Sequence, residues 1–290
     1  MNKCKMCPRN CGADRNNGCG VCGANFRLKV AKVMLHNWEE PCISLGKGSG
    51  AIFFSNCPLK CIFCQNYEIS QLGNGKEIGV DELVMWFKRF EKMGAENINL
   101  VSPTQYTDQI INALNQYKPH IPVVWNTNSY EKPEVLDKLQ GLVDIFLADL
   151  KYCDSKFSTE FSGVADYFNV ATKAILKMRE LVPSDEFNGD KMVKGLIVRH
   201  LVLPGCIEDS KCVLDWIKNN LGANTIVSVM NQYVPYYKAK NHKQLGRKVT
   251  AREYSSVCDY ALNLGFENGY FQSGESACES YIPNFTTFLD

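Results

Sequence analysis

Three cysteines lie close together in the segment CPLKCIFC, residues 57–64. Cys57 and Cys61 are separated by three residues, and Cys61 and Cys64 by two. A structural zinc site needs four ligands, usually as two separated pairs, so three cysteines leave it one ligand short. An iron–sulfur cluster is ordinarily held by four cysteines, and a cluster held by three keeps one iron open to another ligand. The segment therefore predicts an iron–sulfur cluster at which a second molecule can bind.

A second group of cysteines lies near the N-terminus, in CKMCPRNCGADRNNGCGVCG. As bare spacing, Cys4-x2-Cys7 and Cys19-x2-Cys22 form two pairs eleven residues apart, which is typical of a zinc site and leaves Cys11 over. Glycines in this segment permit the tight turns that a small metal site requires. We predict a closed metal site here, with zinc favoured over a second iron–sulfur cluster.

The other cysteines are scattered, and we assign them no role: Cys42, Cys153, Cys206, Cys212, Cys258 and Cys278. A free cysteine is commonly a small buried hydrophobic residue.

The composition of the chain limits its class. A chain of 290 residues with 45% hydrophobic residues can bury one substantial core and carry a small appendage. The sequence lacks an apolar run long enough for a membrane span, and its N-terminus lacks the apolar core of a secretory signal. We therefore expect a cytoplasmic protein whose fourteen cysteines are not disulfide-bonded. The formal charge of +1 gives no general case for nucleic-acid binding.

The elements that must position these cysteines follow a repeated pattern. Short β-branched runs alternate with amphipathic stretches, which is typical of βα units around a parallel sheet. The predicted strands are residues 51–55, 97–101, 122–126, 143–149, 196–204 and 225–230, with a possible edge strand in GYFQS. The predicted helices are residues 79–94, 107–117, 132–141, 166–181, 209–222 and 250–264.

Six βα repeats predict an α/β fold, a partial (β/α)6 barrel of the TIM type, with an open doubly wound sheet as the alternative. We expect residues 46–290 to form this barrel and residues 1–45 to form a small Cys-rich metal-binding extension. Because CPLKCIFC directly follows the first predicted strand, its thiols should lie at the C-terminal mouth of the sheet, where barrel enzymes have their active sites.

The C-x3-C-x2-C pattern, with Phe63 before its last cysteine, resembles the cluster loop of the radical S-adenosylmethionine (SAM) superfamily. The resemblance implies a 4Fe–4S cluster on Cys57, Cys61 and Cys64, with SAM bound to its open iron. It also implies reductive cleavage of SAM to a 5′-deoxyadenosyl radical, which abstracts a hydrogen atom from a substrate. Phe63 would pack near the adenine. The cofactors supply the radical chemistry, while the protein orients them and excludes water and oxygen.

Further segments resemble the branch that contains the pyruvate formate-lyase activating enzyme. Asp149-Leu-Lys151 is similar to its D-x-K element, which contacts SAM, and residues i and i+2 of a strand share a face. The strand IVRHLVLPG is similar to its R-x-x-V-x-P-G element, which implies that Arg199 meets the carboxylate or the ribose of SAM. His200 points to the other face, and we interpret it as a packed residue.

One segment departs from that branch. Where a Gly-Gly-Glu element usually binds the SAM amino group, this chain has Ser102-Pro-Thr104, whose hydroxyls can accept from an ammonium but carry no charge. This element, with WEEPCIS and the extended cluster segment, resembles a related group described as activating-enzyme-like. The N-terminal pattern of that group selects Cys4, Cys7, Cys11 and Cys22 as metal ligands, so Cys11 and Cys19 are alternatives.

The resemblance also implies partners. A glycyl-radical enzyme would be the protein substrate, with hydrogen abstraction from a glycine, and a flavodoxin or ferredoxin would donate the electron. A small molecule or another protein side chain is an alternative substrate. A non-catalytic zinc-binding interaction module is an alternative of another class. The basic stretch VPYYKAKNHKQLGRK, residues 234–248, is typical of a solvated face. It could also dock an acidic loop, and nucleic acid is a less favoured alternative.

Overall fold

The computed structural model describes residues 3–272 together with residues 283, 285, 287 and 288. Within these residues the strands are β1 Leu28–His36, β2 Ser49–Phe54, β3 Lys76–Ile78, β4 Ile98–Val101, β5 Val123–Thr127, β6 Ile145–Asp149, β7 Glu186–Asn188, β8 Lys191–Leu201, β9 Ile226–Met230 and β10 Gly269–Phe271. The α-helices are α1 Tyr67–Ser70, α2 Val80–Met93, α3 Thr107–Gln116, α4 Pro133–Leu136, α5 Ser155–Ser162, α6 Tyr167–Leu181, α7 Ile207–Leu221 and α8 Ala251–Asn263.

The strands form one mainly parallel sheet. Their order is β10-β9-β8-β6-β5-β4-β2-β1-β3, and β7 pairs with β8 outside this path. Every pairing from β2 to β10 along the path is parallel, and a helix lies between each of these strands and the next. Six successive βα units therefore precede β10, and the predicted α/β fold of a partial (β/α)6 barrel is confirmed.

The sequence did not predict β1, which pairs antiparallel with β2 and with β3 at one edge of the sheet. Its segment LKVAKVMLH breaks the usual alternation, because Lys32 is fully buried among apolar neighbours. Residues 28–36, which the sequence assigned to the extension, thus belong to the main sheet. The short helix α5, after β6, was also not predicted.

The two faces of the parallel sheet differ in their packing. Alternate side chains of a strand point to opposite faces, and the outer side chains, such as Leu100 and Trp125, join the main core under the helices. On the inner face, a smaller apolar cluster includes Val124, Leu147 and Ile197, and Cys42 and Ile43 from the loop after β1 pack on it. This cluster fills the floor of the barrel and leaves polar side chains at the carboxyl ends of the strands.

Two of the scattered cysteines are bonded to each other, which corrects the expectation of free thiols. A disulfide joins Cys153, in the loop after β6, to Cys212 on α7. The carboxylate of Asp209, also on α7, accepts hydrogen bonds from the backbone N–H groups of Cys153 and Asp154 at 3.0 and 2.6 Å. Composition could not reveal this pairing, because the two cysteines are 59 residues apart and only the crossover from β6 to α7 brings them together.

In the described part of the chain, the helices are all too short or too polar to cross a membrane.

Candidate functional site

A cavity of about 820 Å³ lies at the carboxyl ends of the strands. Its lining includes every predicted cluster ligand and most of the predicted SAM contacts: Cys57, Cys61, Phe63, Cys64, Ser102, Asp149, Lys151 and Arg199. The volume is within the range of pockets that bind small molecules and cofactors. The fold therefore brings these residues, which span more than 140 positions of the chain, to one place.

The cysteine loop begins where β2 ends, and other elements fix its backbone. Asn56 turns the chain with a left-handed φ of 72°. The N–H groups of Lys60 and Ile62 donate to the carbonyls of Ser162 and Phe161, at the end of α5, at 3.2 and 2.8 Å. The unpredicted helix α5 thus holds the loop against the mouth of the barrel.

Each of the three sulfur atoms has a polar neighbour. Asn128 Nδ2 donates to Cys57 Sγ at 3.3 Å. The hydroxyl of Ser162 lies 3.0 Å from Cys61 Sγ. Similarly, the Ser70 hydroxyl lies 3.2 Å from Cys64 Sγ. Such hydrogen bonds orient thiolate ligands and tune the potential of an iron–sulfur cluster.

Burial determines the protonation of these thiols. It raises the pKa of Cys57, where neighbouring Cys61 and Cys64 add to the effect. Burial likewise raises the pKa of Cys61, and it raises that of Cys64 to about 11. Thiols of this kind ionise when a cation is present to compensate their charge. Three thiols, two buried and one partly buried, each with a hydrogen-bond partner, therefore have the donor chemistry of a metal cluster, which the Radical SAM resemblance implies.

A buried network of ions lies opposite the cysteine loop. Lys151 Nζ lies 2.6 Å from Asp149 Oδ2, and Arg199 Nε lies 2.9 Å from Asp149 Oδ1. The guanidinium of Arg199 also contacts Glu39 Oε2 at 3.1 Å and donates to Asn126 Oδ1. Although burial opposes it, Lys151 and Arg199 lower the pKa of Asp149. The carboxylate is therefore ionised at neutral pH and holds both cations at the strand ends.

Glu39 and Glu40 are cavity residues to which the sequence gave no role. They belong to the loop after β1. Because β1 is antiparallel to β2, this loop enters at the amino end of β2, whereas the cysteine loop follows its carboxyl end. Glu39 accepts hydrogen bonds from Asn99 Nδ2 at 2.7 Å and Asn126 Nδ2 at 3.2 Å. Burial raises the pKa of Glu40 against the opposing charge of Arg199. Two adjacent glutamates in the otherwise apolar WEEPCIS segment were the available signal.

The predicted Ser102-Pro-Thr104 element divides at the cavity. Ser102 lines the cavity. It is the first residue after β4, and its backbone is left-handed, with a φ of 56°. Thr104 is 1% exposed, and its hydroxyl donates to Glu131 Oε1 at 3.1 Å. Trp125 Nε1 donates to the same oxygen at 2.9 Å. The side chain of Thr104 therefore faces the core, and the structure does not bring it to the cavity as predicted.

Phe63 and His200 take the positions that the sequence suggested. Phe63 is 6% exposed, lines the cavity and packs edge-on against Tyr233 with ring centroids 6.0 Å apart. His200 is buried away from the cavity, with Nδ1 2.7 Å from the carbonyl of Leu150 and Nε2 2.8 Å from the hydroxyl of Ser210. Burial lowers the pKa of His200 to about 4. The imidazole is thus a neutral packing residue.

The N-terminal cysteines separate into four that lie together and one that does not. The side chains of Cys11 and Cys22 both approach Gly20, each within 3.4 Å of the position that a Cβ would take there. Cys7 is close enough to Cys22, Cys4 and Cys11 for their charges to raise its pKa, after the larger effect of burial. Cys19 is exposed to solvent. The structure thus groups the four cysteines of the family-like pattern and leaves Cys19 out.

In residues 3–272, no group of three or more histidine, cysteine, aspartate or glutamate side chains, the three cavity cysteines included, is arranged so that it could hold a metal ion as it stands. A second metal site in the extension is therefore not shown. The fit of the cavity cysteines to a cluster rests on their chemistry as thiolate donors and on their hydrogen-bond partners.

The extension packs on the cysteine loop. Arg9 Nε donates to the carbonyl of Pro58 at 2.9 Å, and Arg9 Nη1 donates to the carbonyl of Gly163 at 2.9 Å. Lys60 Nζ donates to the carbonyl of Cys22 at 3.4 Å. The N-terminal extension thus lies directly against the loop that carries the three cavity cysteines.

A partial α/β barrel whose three-cysteine loop faces a charged cavity defines a class, namely enzymes that hold an iron–sulfur cluster at the mouth of a barrel. The sequence comparison gives the family. The profile of the Radical SAM superfamily matches residues 51–198, and the chain belongs to this superfamily. Its members use a 4Fe–4S cluster and SAM, so the chain is a radical SAM enzyme.

Relatives agree with this assignment. The chain is 32% identical over 271 residues to uncharacterized protein MJ0674 of Methanocaldococcus jannaschii, covering 89% of this chain and 74% of the relative. It is 21% identical over 222 residues to pyruvate formate-lyase 1-activating enzyme of Escherichia coli K12, covering 72% of this chain and 82% of that enzyme. The predicted resemblance to this branch is thus present but weak.

Solved structures share the fold. Streptococcus suis SuiB bound to the precursor peptide SuiA matches with a TM-score of 0.52 and 15% identity, over 75% of this chain and 46% of SuiB. The FeFe-hydrogenase maturase HydG from Carboxydothermus hydrogenoformans matches with a TM-score of 0.51 and 15% identity, over 73% of this chain and 50% of HydG. The matched region is about half of each of those chains.

Proposed function

We propose that Cys57, Cys61 and Cys64 hold a 4Fe–4S cluster, and that the cavity binds SAM and a hydrogen-donating substrate. One observation carries this proposal. Three thiols on a single loop, two of them buried and each with its own hydrogen-bond partner, line one cavity together with a buried set of charges. When bound, the cluster would supply the electron for cleavage of SAM, and the resulting 5′-deoxyadenosyl radical would take a hydrogen atom from the substrate.

The residues of the cavity would orient SAM by charge. SAM carries a carboxylate and two positive groups, the ammonium and the sulfonium, so it needs cations and anions at fixed positions. Lys151 and Arg199 are the cations, and Asp149 and Glu39 are the anions that hold them. Ser102 adds polar groups at the end of β4. Thr104 would act at a distance, through Glu131, which shares its hydrogen bonds with the end of β5.

Apolar side chains would exclude water from the reacting atoms. Phe63 forms one wall of the cavity, and Phe53 and Ile69 form another. All three are buried. A radical that abstracts hydrogen reacts with any accessible C–H group, so a dry and closely fitting wall limits side reactions.

A glycine of a partner glycyl-radical enzyme is the substrate that we propose first. It is supported by the similarity to pyruvate formate-lyase 1-activating enzyme over 72% of the chain. It is also supported by Trp38, which is 63% exposed, and Phe271, both of which line the cavity near solvent and can contact a polypeptide. A small molecule or another protein side chain is the alternative, since the fold is also that of SuiB with its bound precursor peptide.

We further propose that the extension binds a second metal through Cys4, Cys7, Cys11 and Cys22. The approach of Cys11 and Cys22 to Gly20 supports the proposal, and so does the backbone N–H of Ala24, which donates to Cys22 Sγ at 3.4 Å. Amide donors of this kind stabilise a thiolate. Zinc remains favoured over a second iron–sulfur cluster, because a closed set of four cysteines is the usual structural zinc site. Both metal sites need reduced thiols.

The experiment is an anaerobic reconstitution with iron and sulfide, followed by addition of SAM and dithionite. The wild type is compared with a variant in which Cys57, Cys61 and Cys64 are all replaced by Ala. We expect 5′-deoxyadenosine from the wild type alone, with equal N-terminal metal in both proteins. If neither protein forms 5′-deoxyadenosine and both carry the same amount of iron, the cluster assignment is wrong.

A further inference from the structure

The basic stretch that the sequence singled out packs directly on the cysteine loop. We call residues Tyr236 to Lys243, which include three exposed lysines, the basic face. Ala239, at the centre of this face, donates its N–H to the carbonyl of Ile62 at 2.9 Å. Gln65 Nε2 donates to the carbonyl of Gln232 at 2.9 Å on the same side. Residues 62–65 are the end of the loop that carries Cys64, so the basic face is its immediate neighbour at the surface.

Cys64 is also the least buried of the three cavity cysteines. Cys57 and Cys61 are 9% and 8% exposed, whereas Cys64 is only partly buried. Three residues later, Tyr67 stacks on Tyr237 with ring centroids 4.7 Å apart. The cysteine loop and the basic face are thus linked by backbone hydrogen bonds and by stacked rings. The basic face therefore adjoins the cysteine that is least buried of the three.

Three lysines of the basic face have no carboxylate partner among the residues that the structure describes. Lys238, Lys240 and Lys243 are exposed, and none forms an ion pair with a carboxylate of residues 3–272. The neighbouring cations differ, since His242 contacts Glu160 at 3.1 Å and Arg247 contacts Glu253 at 2.7 Å. Because the whole chain has a formal charge of only +1, this local excess is a specific feature of the surface.

The tyrosines of the face are arranged for packing and not for binding bases. Tyr67 and Tyr237 cover each other at an interplanar angle of 12°, and Tyr236 contacts Tyr67 edge-on at 5.5 Å. Lys238 lies over the ring of Tyr237 at 5.4 Å, and Lys240 over that of Tyr236 at 5.2 Å. A base would need an uncovered ring face on which to stack. The arrangement therefore favours an acidic protein over a single-stranded nucleic acid.

We propose that the basic face is the docking surface for an acidic one-electron carrier protein, an inference that rests on the proposed function. Lysines at the rim of an interface steer an acidic partner and set its orientation. Docked there, the carrier lies against the loop of Cys64. One electron leaves the carrier, which is oxidised, and enters the cluster, which is reduced, so the exchange needs no proton or leaving group.

The test compares two double charge reversals. Lys238→Glu/Lys240→Glu changes the basic face, and Lys88→Glu/Lys173→Glu makes the same change of charge on exposed positions of α2 and α6. Lys88 lies over the ring of Tyr117 at 4.8 Å, so the control also removes a lysine–tyrosine contact. The probe is an acidic flavodoxin. Carbodiimide cross-linking, with peptide mapping, and calorimetry at two salt concentrations report docking without any turnover.

We expect cross-links to Lys238, Lys240 or Lys243 in the wild type, and flavodoxin binding that weakens with salt. The basic-face variant should bind flavodoxin about tenfold more weakly, from the loss and reversal of two rim charges, whereas the control should match the wild type. Formation of 5′-deoxyadenosine should fall by a similar factor with reduced flavodoxin and stay unchanged with dithionite, which needs no docking surface.

Three results would overturn the proposal. The first is equal flavodoxin binding by the basic-face variant and the wild type. The second is cross-linking confined to lysines elsewhere. The third is binding of a fluorescent oligothymidine that the basic-face variant loses while it keeps flavodoxin, which would assign the face to nucleic acid. If the wild type forms no 5′-deoxyadenosine even with dithionite, the proposed function fails, and the cross-linking and calorimetry still decide whether the face docks an acidic protein.

Discussion

Replacement of Asp149 by Asn removes one charge from the cavity with little change in shape. In the native protein the two carboxylate oxygens lie 2.6 Å from Lys151 Nζ and 2.9 Å from Arg199 Nε. The side chains of the three residues are 14%, 17% and 12% exposed, so solvent screens them little. Loss of one partner from such a group costs roughly 3–5 kcal/mol, because the remaining charges stay buried without compensation.

The remaining contacts of the ion network set the size of the expected loss of stability. Arg199 keeps its contact with Glu39 at 3.1 Å in the variant, so the cost should be near the lower limit, about 3 kcal/mol. For a chain of this size, each kcal/mol lowers the unfolding midpoint by about 2 °C, which gives a decrease of about 6 °C. We also expect SAM affinity to fall by about tenfold or more, because Lys151 and Arg199 lose the anion that positions them.

The assay is thermal unfolding followed by circular dichroism under anaerobic conditions, with calorimetric titration of SAM. The control is Asp108→Asn, which breaks a pair with Lys138 whose side chains are 57% and 51% exposed. This control should cost less than about 1 kcal/mol. The reasoning is refuted if Asp149→Asn unfolds within a degree of the control and binds SAM as the wild type does.

The difference in stability between the wild type and Asp149→Asn depends on pH in a defined direction. Lys151 and Arg199 lower the pKa of Asp149 against the opposing effect of burial. A carboxyl group with a lowered folded-state pKa stabilises the fold fully above its unfolded pKa, near 3.9, and loses that contribution as pH falls through the folded value. The gap in stability between the wild type and Asp149→Asn should therefore be full at pH 7 and shrink below about pH 4.

Three further predictions follow from the described structure. As pH falls from 6.5 to about 4, the free energy of unfolding of the wild type should drop by about 3 kcal/mol relative to that of His200→Gln. The reason is that burial lowers the pKa of His200 to about 4, so the unfolded chain takes up the proton first. Denaturant unfolding at each pH measures this, and a difference between the two proteins that stays constant with pH would contradict it. Cys11→Ser should lose the metal of the extension while Cys19→Ser keeps it, as measured by elemental analysis, and equal loss in both would contradict the grouping. Cys153→Ser should lower stability by about 4 kcal/mol, because the disulfide closes a loop of 59 residues. The difference between the variant and the wild type should vanish in a strong reductant, and its persistence there would point to another cause.

Much of the cavity could be predicted because its residues are close to the ends of parallel strands. CPLKCIFC follows β2, Asp149 ends β6 and Arg199 lies within β8, so the chain pattern alone brings them to one edge of the sheet. Side-chain direction could not be predicted in the same way. Ser102 and Thr104 are two residues apart, yet the turn after β4 sends one to the cavity and the other to Glu131.

Other residues of the site arrive from parts of the chain that have no strand-end pattern. Glu39 comes from the loop after β1. The sequence did not predict this strand, because the buried Lys32 interrupts its apolar pattern. Ser162 comes from the short helix α5, and Asn128 from the loop after β5. Their hydrogen bonds to Arg199 and to the cysteines depend on long-range packing, which local sequence patterns do not contain.

The contacts of the N-terminal extension have a consequence for synthesis of the protein. Arg9 donates to the carbonyl of Gly163, which lies 154 residues further along the chain. At roughly 5–20 residues per second, a ribosome needs about 8–30 s to make the residues between them. During that interval the N-terminal thiols have emerged, but the surface on which they finally pack does not yet exist. Metal loading of the extension on the nascent chain would protect these thiols from oxidation and from mispairing before the barrel is complete.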